Sequence, residues 1–173
     1  MTDIREEING IIKECGIDRT RFHELGKTEW QSVLKRAEEK FADRTKSRKN
    51  DLHWANIDGY SPKLEQTAVT PSDDSWTEHL PEILPHGESF YVLMEGSCFD
   101  PNCLYYKYWV YEGFAEEISQ VILESYGFHE MYIISKKFDW IFSENHHGVL
   151  TAAGDISALR LDIAENNCSL CKE

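Results

Sequence analysis

Met131-Tyr-Ile-Ile-Ser-Lys-Lys-Phe-Asp-Trp-Ile-Phe-Ser-Glu-Asn-His-His-Gly-Val-Leu-Thr-Ala-Ala-Gly-Asp155 is the stretch whose reading decides the fold. Two apolar, β-favouring runs, 131–134 and 140–143, flank the turn Ser135-Lys136-Lys137-Phe138-Asp139. A second turn, Glu144-Asn145-His146-His147-Gly148, leads into 149–153. Short apolar runs bounded by Asp, Asn, Gly and Lys read as successive hairpins, so the stretch predicts a three-strand meander. Asp155 stands where it can cap a closing helix running through Ile156, Leu159 and Ile163.

Upstream, Phe114, Ile118, Val121, Ile122 and Ser125 share one helical face, with Gly127 as the stop. Leu123 lies on the opposite side, which predicts a helix covered on two sides. Before it, 89–94 and 104–111 read as strands around the loop at 96–102. Residues 50–87 are interrupted by Pro62, Pro71, Pro81 and Pro85, and read as a long connection or a short strand pair. The front is helical. Ile4, Ile8, Ile11, Ile12 and Cys15 form one face, Asp3 with Glu6 resembles a capping pair, and Gly16 is the stop. A second helix begins near Thr28, with Gln31 at the capping-box position and a stripe of Trp30, Val33, Leu34, Ala37 and Phe41. It runs out in the basic run 44–49. The expectation is a single α+β domain over 1–173, with a helical front (1–50) and a sheet-rich body (88–165). Two N-terminal helices precede a mainly antiparallel sheet of about five strands, with one inserted helix and one C-terminal helix.

The composition suits such a domain: 173 residues, 41% hydrophobic and 12% aromatic, are enough for a packed core without staples. The charge is lopsided. Residues 1–60 hold twelve Lys+Arg and twelve Asp+Glu, whereas 61–173 hold six against nineteen, which is the whole net charge of −13. Such a balance disfavours nucleic acid and anionic membrane surfaces and favours a basic protein partner. The N-terminus lacks an apolar signal core and no run approaches a membrane span, so a cytoplasmic setting with reduced cysteines is expected.

Three groups of residues are candidates for function. Asp73, Asp74, Glu78 and Glu82 surround Trp76 in a Pro-bounded segment, the chemistry of a hot spot for a cationic partner; the alternative is a solvated surface with Trp76 in the core. Glu116, Glu117 and Glu124 extend the same patch on the helix. Cys168-x-x-Cys171 has metal-knuckle spacing and Cys98 with Cys103 could complete four thiolates for zinc, although unrelated thiols are the default. The Glu144–His147 turn puts two imidazoles beside a carboxylate. Adjacent strand residues point to opposite faces, which favours a structural turn over a metal site. With no Gly-rich phosphate loop, G-x-S-x-G elbow or P-loop, no cofactor is expected.

The stretch 131–155 quoted above also resembles the C-terminal part of small acidic bacterial proteins, some of which look like immunity proteins of toxin–immunity systems. That resemblance implies a cytoplasmic bacterial α+β protein without transferable catalytic residues. The expected function is a non-enzymatic immunity or inhibitor protein that binds a basic toxin, such as a nuclease, through Asp73, Asp74, Trp76, Glu78, Glu82, Glu116, Glu117 and Glu124. Two alternatives come from other classes. One is a metal-dependent or hydrolytic enzyme using His146 or His147 with Glu144 or Asp155. The other is a nucleic-acid-mimicking anti-restriction protein.

Overall fold

The computed structural model describes residues 4–42, 57, 75–96, 108–126 and 128–166. In chain order these form helix α1 (Ile4–Glu14), strand β1 (Phe22–Glu24), helix α2 (Lys27–Phe41) and the short helices α3 (Ser75–Glu78) and α4 (Leu80–Ile83). Strands β2 (Ser89–Gly96) and β3 (Tyr108–Phe114), helix α5 (Ala115–Glu124) and strands β4 (Phe128–Ser135), β5 (Trp140–Glu144) and β6 (Leu150–Gly154) follow. A 3-10 turn (Ile156–Ala158) and helix α6 (Leu161–Asn166) close the described chain. The fold class is α+β, as expected. The sheet is antiparallel throughout and six-stranded, in the order β1-β3-β2-β4-β5-β6.

Helix α1 ends as its sequence requires. Gly16 takes a φ of 65°, and the Ile17 N–H reaches back to the Ile12 carbonyl at 3.0 Å, the long bond of a Schellman cap. The sixth strand is the first difference from expectation: β1, three residues long, is too short for alternation to reveal. It forms because Phe22 stacks on Tyr111, with ring centroids 5.2 Å apart, in the space left by Gly113. A Cβ on Gly113 would stand 2.4 Å from the Phe22 ring. Helix α2 is capped at Gly26, not Thr28: the Glu29 carboxylate accepts from the Gly26 N–H at 3.1 Å, and Gln31 takes no part. The end of the Pro-rich segment is helical, because Pro81 falls in the first turn of α4, where its missing N–H leaves no hydrogen bond broken. Leu123 is 41% exposed, so α5 is covered on one side only.

Side chains alternate across the sheet and divide the core in two. On the first face Phe90, Val92, Met94, Tyr111, Met131, Ile133, Trp140 and Phe142 pack under α1, α3, α4, α5 and α6. On the second face Leu93, Val110, Tyr132, Ile134, Ile141 and Ala153 pack with Val33, Ala37 and Phe41 of α2. Because both faces are covered, β4 reads as an unbroken buried run from Glu130 to Ser135, a pattern more usual in parallel sheets. The β4–β5 turn holds Phe138 at φ 62°, an uncommon conformation for a bulky residue, and buries its ring beneath Tyr91 and Arg36. At the end of β6, Gly154 takes a φ of 84°, and a Cβ there would lie 2.3 Å from the Asp139 carbonyl oxygen. Among the described residues no helix is long and apolar enough to cross a membrane.

Candidate functional site

The first candidate is the outer surface of the helices on the first face. Helices α3 and α4 pack against α5, and the buried Ser119 hydroxyl of α5 donates to the Thr77 carbonyl at 2.7 Å. Two segments far apart in sequence thereby bring Glu78, Glu82, Glu116 and Glu124 to one helical layer, all exposed. From Leu64 to Ser135 the sequence has a single Lys or Arg, Lys107, so carboxylates dominate the charge of α3, α4 and α5.

The expected residues do not all serve this surface. Trp76 is 3% exposed and tilts against Phe142 at a centroid distance of 5.7 Å, so it is a core residue and not the anchor of a docking patch. Trp76 and Thr77 of α3 are both turned into the core, and burial of the large indole area outweighs its surface use. Arg21 bonds Glu117 through two nitrogens and Glu116 at 3.1 Å, while its guanidinium lies over Phe114. Glu117, whose side chain is only 16% exposed, is therefore engaged internally. Glu82 shares His79 at 3.4 Å, whereas Glu78 and Glu124 make no ion pair among the described residues. Asp73 and Asp74 lie outside the described residues.

The second candidate lies on the second face of the sheet, at the ends of β2, β4 and β5. Glu130 is 1% exposed and accepts a hydrogen bond from the Tyr132 hydroxyl at 2.6 Å. Its other oxygen lies 3.2 Å from Nδ1 of His146. Glu95 is directly opposite Glu130 on β2, and Tyr108 is directly opposite Glu95 on β3. The Tyr108 and Tyr132 rings meet edge to face at 5.5 Å. Burial, then the neighbouring Tyr108 and Glu130, push the Tyr132 phenol far above its ordinary pKa, which keeps it a neutral donor. Ser143, opposite Tyr132, and Asn145 are buried. Among the described residues the Ser143 hydroxyl and the Asn145 amide nitrogen have no hydrogen-bond partner.

The Glu144–His147 turn is built by Asn145, not by its histidines. The Asn145 side-chain oxygen accepts from the His147 and Val149 N–H groups at 2.9 and 3.0 Å, and Gly148 takes the left-handed conformation. His146 turns back toward Glu130, and its ring stacks on His129 at 4.5 Å and against His147 at 4.0 Å. Asp155 does not join it: the carboxylate caps the following turn, accepting from the Ser157 N–H and hydroxyl at 3.3 and 2.5 Å. Glu130 is thus a carboxylate that meets His146, and sequence reasoning missed it. Its signal was an acidic residue at the start of an otherwise apolar strand. Chemically, a buried carboxylate beside Nδ1 orients an imidazole as general bases are oriented, fixing the ring and its tautomer. Among the described residues no group of three or more His, Cys, Asp or Glu could hold a metal ion. Cys98, Cys103, Cys168 and Cys171 lie outside the described residues, and Cys15 is a free thiol packed partly against the core.

Compared with known proteins, residues 1–165 match the model of a family of unknown function, DUF6756. The chain belongs to that family. No curated protein and no solved structure matches it.

Proposed function

We propose that this member of the DUF6756 family is a cytoplasmic immunity protein, an inhibitor that binds a basic toxin and occludes its active site. The observation that carries the reading is the packing of α3 and α4 on α5, which gathers Glu78, Glu82 and Glu124 on one outer layer. A nuclease toxin fits best. Its active site must hold phosphate and is therefore positive, so carboxylates steer the encounter and then cover the site. The burial of Trp76 removes one expected contact, and the two carboxylates held by Arg21 are spent within the fold. The remaining charge is enough for steering, which depends on the field of the whole surface and not on one contact.

The test is the association rate with purified basic nuclease toxin domains, measured from about 0.05 M to about 0.5 M salt. The expected result is a fall of about tenfold or more across that range, and a similar fall at low salt for the triple variant E78Q/E82Q/E124Q. A rate indifferent to salt and to these substitutions removes the reading.

One observation favours a second reading, a hydrolytic enzyme: buried Glu130 holds Nδ1 of an imidazole that is itself partly exposed. Turnover of an ester or phosphodiester substrate that disappears in H146N while the fold persists would support it. Its absence across both substrate classes leaves the pair a structural one.

A further inference from the structure

We infer that the C-terminal end of α5 is a seat for an arginine side chain of a basic protein partner, with the Tyr126 ring as its platform. The inference deepens the acidic-layer reading and rests on it for the partner being a protein.

Among the described residues, the exposed large hydrophobic side chains are Leu123, at 41%, and Tyr126, at 93%. They are three residues apart at the end of one helix. Tyr126 is not on a loose segment. Its N–H donates to Oε1 of Glu7 on α1 at 2.5 Å, and the same oxygen accepts from the Ser125 hydroxyl at 3.1 Å. Helix α1 therefore pins the backbone that presents the exposed ring, which lowers the ordering cost of binding.

The electrostatics around this ring are one-sided. A helix C-terminus carries partial negative charge and is usually met by Lys or Arg. The last turn of α5 has no basic residue and instead carries Glu124, with Glu7 adjoining. Among the described residues neither carboxylate has an ion-pair partner.

The fold itself shows what such a setting accepts. Arg5 lies over Trp109, at 4.8 Å, and bonds Glu24. Arg21 lies over Phe114, at 4.4 Å, and bonds Glu116 and Glu117. Lys136 lies over Tyr91, at 4.1 Å, and bonds Glu112. Three times among the described residues the chain lays a cation on an aromatic face beside a carboxylate. At Tyr126 the aromatic face and the carboxylates recur without a cation from the described chain. A guanidinium suits the place better than an ammonium, since it can stack flat on the ring while its N–H fork reaches the carboxylates and the last helix carbonyls.

The probe is N-acetyl-arginine methylamide, titrated into the full-length 15N-labelled protein, with the citrulline analogue as an uncharged match. The expected result is that backbone shifts concentrate at 123–126 and Glu7 for arginine and are absent for citrulline. Y126A should weaken the apparent affinity by about two- to five-fold, whereas Y126F, which keeps the ring, and E39Q, on the distant α2, should leave it unchanged. Equal shifts with citrulline, shifts spread evenly over all carboxylates, or a Y126A titration like that of the parent would overturn the seat. The two readings fail separately. Toxin association that is salt-sensitive but indifferent to Y126A overturns the seat and keeps the acidic layer. Salt-indifferent association together with an arginine probe seated at Tyr126 overturns the layer and keeps the seat.

Discussion

The two faces of the sheet are made of different material. The first face is the drier one: its large side chains are aliphatic or aromatic apart from Glu144, which stands opposite Met131 and Leu150, and its exposed carboxylates lie outside, on the helices that cover it. The second face, under α2, begins as an apolar surface at Ile134, Ile141 and Leu93 but carries Glu130, the Tyr132 hydroxyl and Ser143 into the interior at one end. A carboxylate buried this deeply is costly unless bonded, and such groups rarely contribute to stability in proportion to their number. The comparison teaches that the first face holds the molecule together and displays charge, while the second holds polar groups in a fixed geometry.

The largest expected effect tests the drier face. Phe142→Ala should cost about 3–5 kcal/mol in denaturant unfolding, because Phe142 of β5 is fully buried against Trp76 and its removal leaves a cavity in the packed first face. A loss below about 1 kcal/mol would mean that this face is not the main source of stability. The polar end comes next. Glu130→Gln should cost about 1–3 kcal/mol, by leaving a buried group mismatched to Tyr132 and His146. If Glu130→Leu proves less harmful than Glu130→Gln in the same assay, the carboxylate is kept for geometry and not for stability, which sharpens the contrast between the faces.

The smallest effect concerns the opposite end of the second face, where Glu112 lies across from Tyr91. Burial raises the Glu112 pKa, but hydrogen bonds from Lys136 and Ser89 outweigh it and bring the group below its ordinary value. A carboxylate with a depressed folded-state pKa stabilises the fold above its unfolded pKa of about 4, and that contribution is lost as pH falls through the folded value. Asp18 and Asp155, lowered by hydrogen bonds from Thr20 and Ser157, act in the same direction. Acid titration of unfolding should therefore show stability falling below about pH 4, with a shallower slope in E112Q. An identical slope in that variant would assign the acid loss to other groups.

Long or periodic elements were legible in the sequence. The α1 stripe, the α5 face and the meander of β4, β5 and β6 follow from apolar spacing and from Asn and Gly turn chemistry, which act locally. Strand β1 was not legible, because three residues carry no period and its existence depends on the space at Gly113, ninety residues away in the chain. The helices at 75–83 were hidden by Pro81, whose meaning changes with its position in a turn. For the candidate site, composition located the acidic segments but not their engagement: nothing local reveals that Arg21 reaches Glu116 and Glu117. Trp76 read as a hot spot because an aromatic beside carboxylates looks the same whichever way the helix rolls. The Glu130–His146 contact joins β4 to the turn that follows β5, so only the pairing of those two strands reveals it.

The short strand that the N-terminal segment lends to the sheet has a consequence for how the chain can be cut. Because β1 seals the outer row of β3, a variant beginning after Gly26 would lose more than α1. It would uncover the backbone amides and carbonyls of Phe22's former partners, and a bare row of that kind recruits other chains. Such a deletion should drive self-association rather than yield a smaller working core, which makes the opening residues a guard on the acidic body.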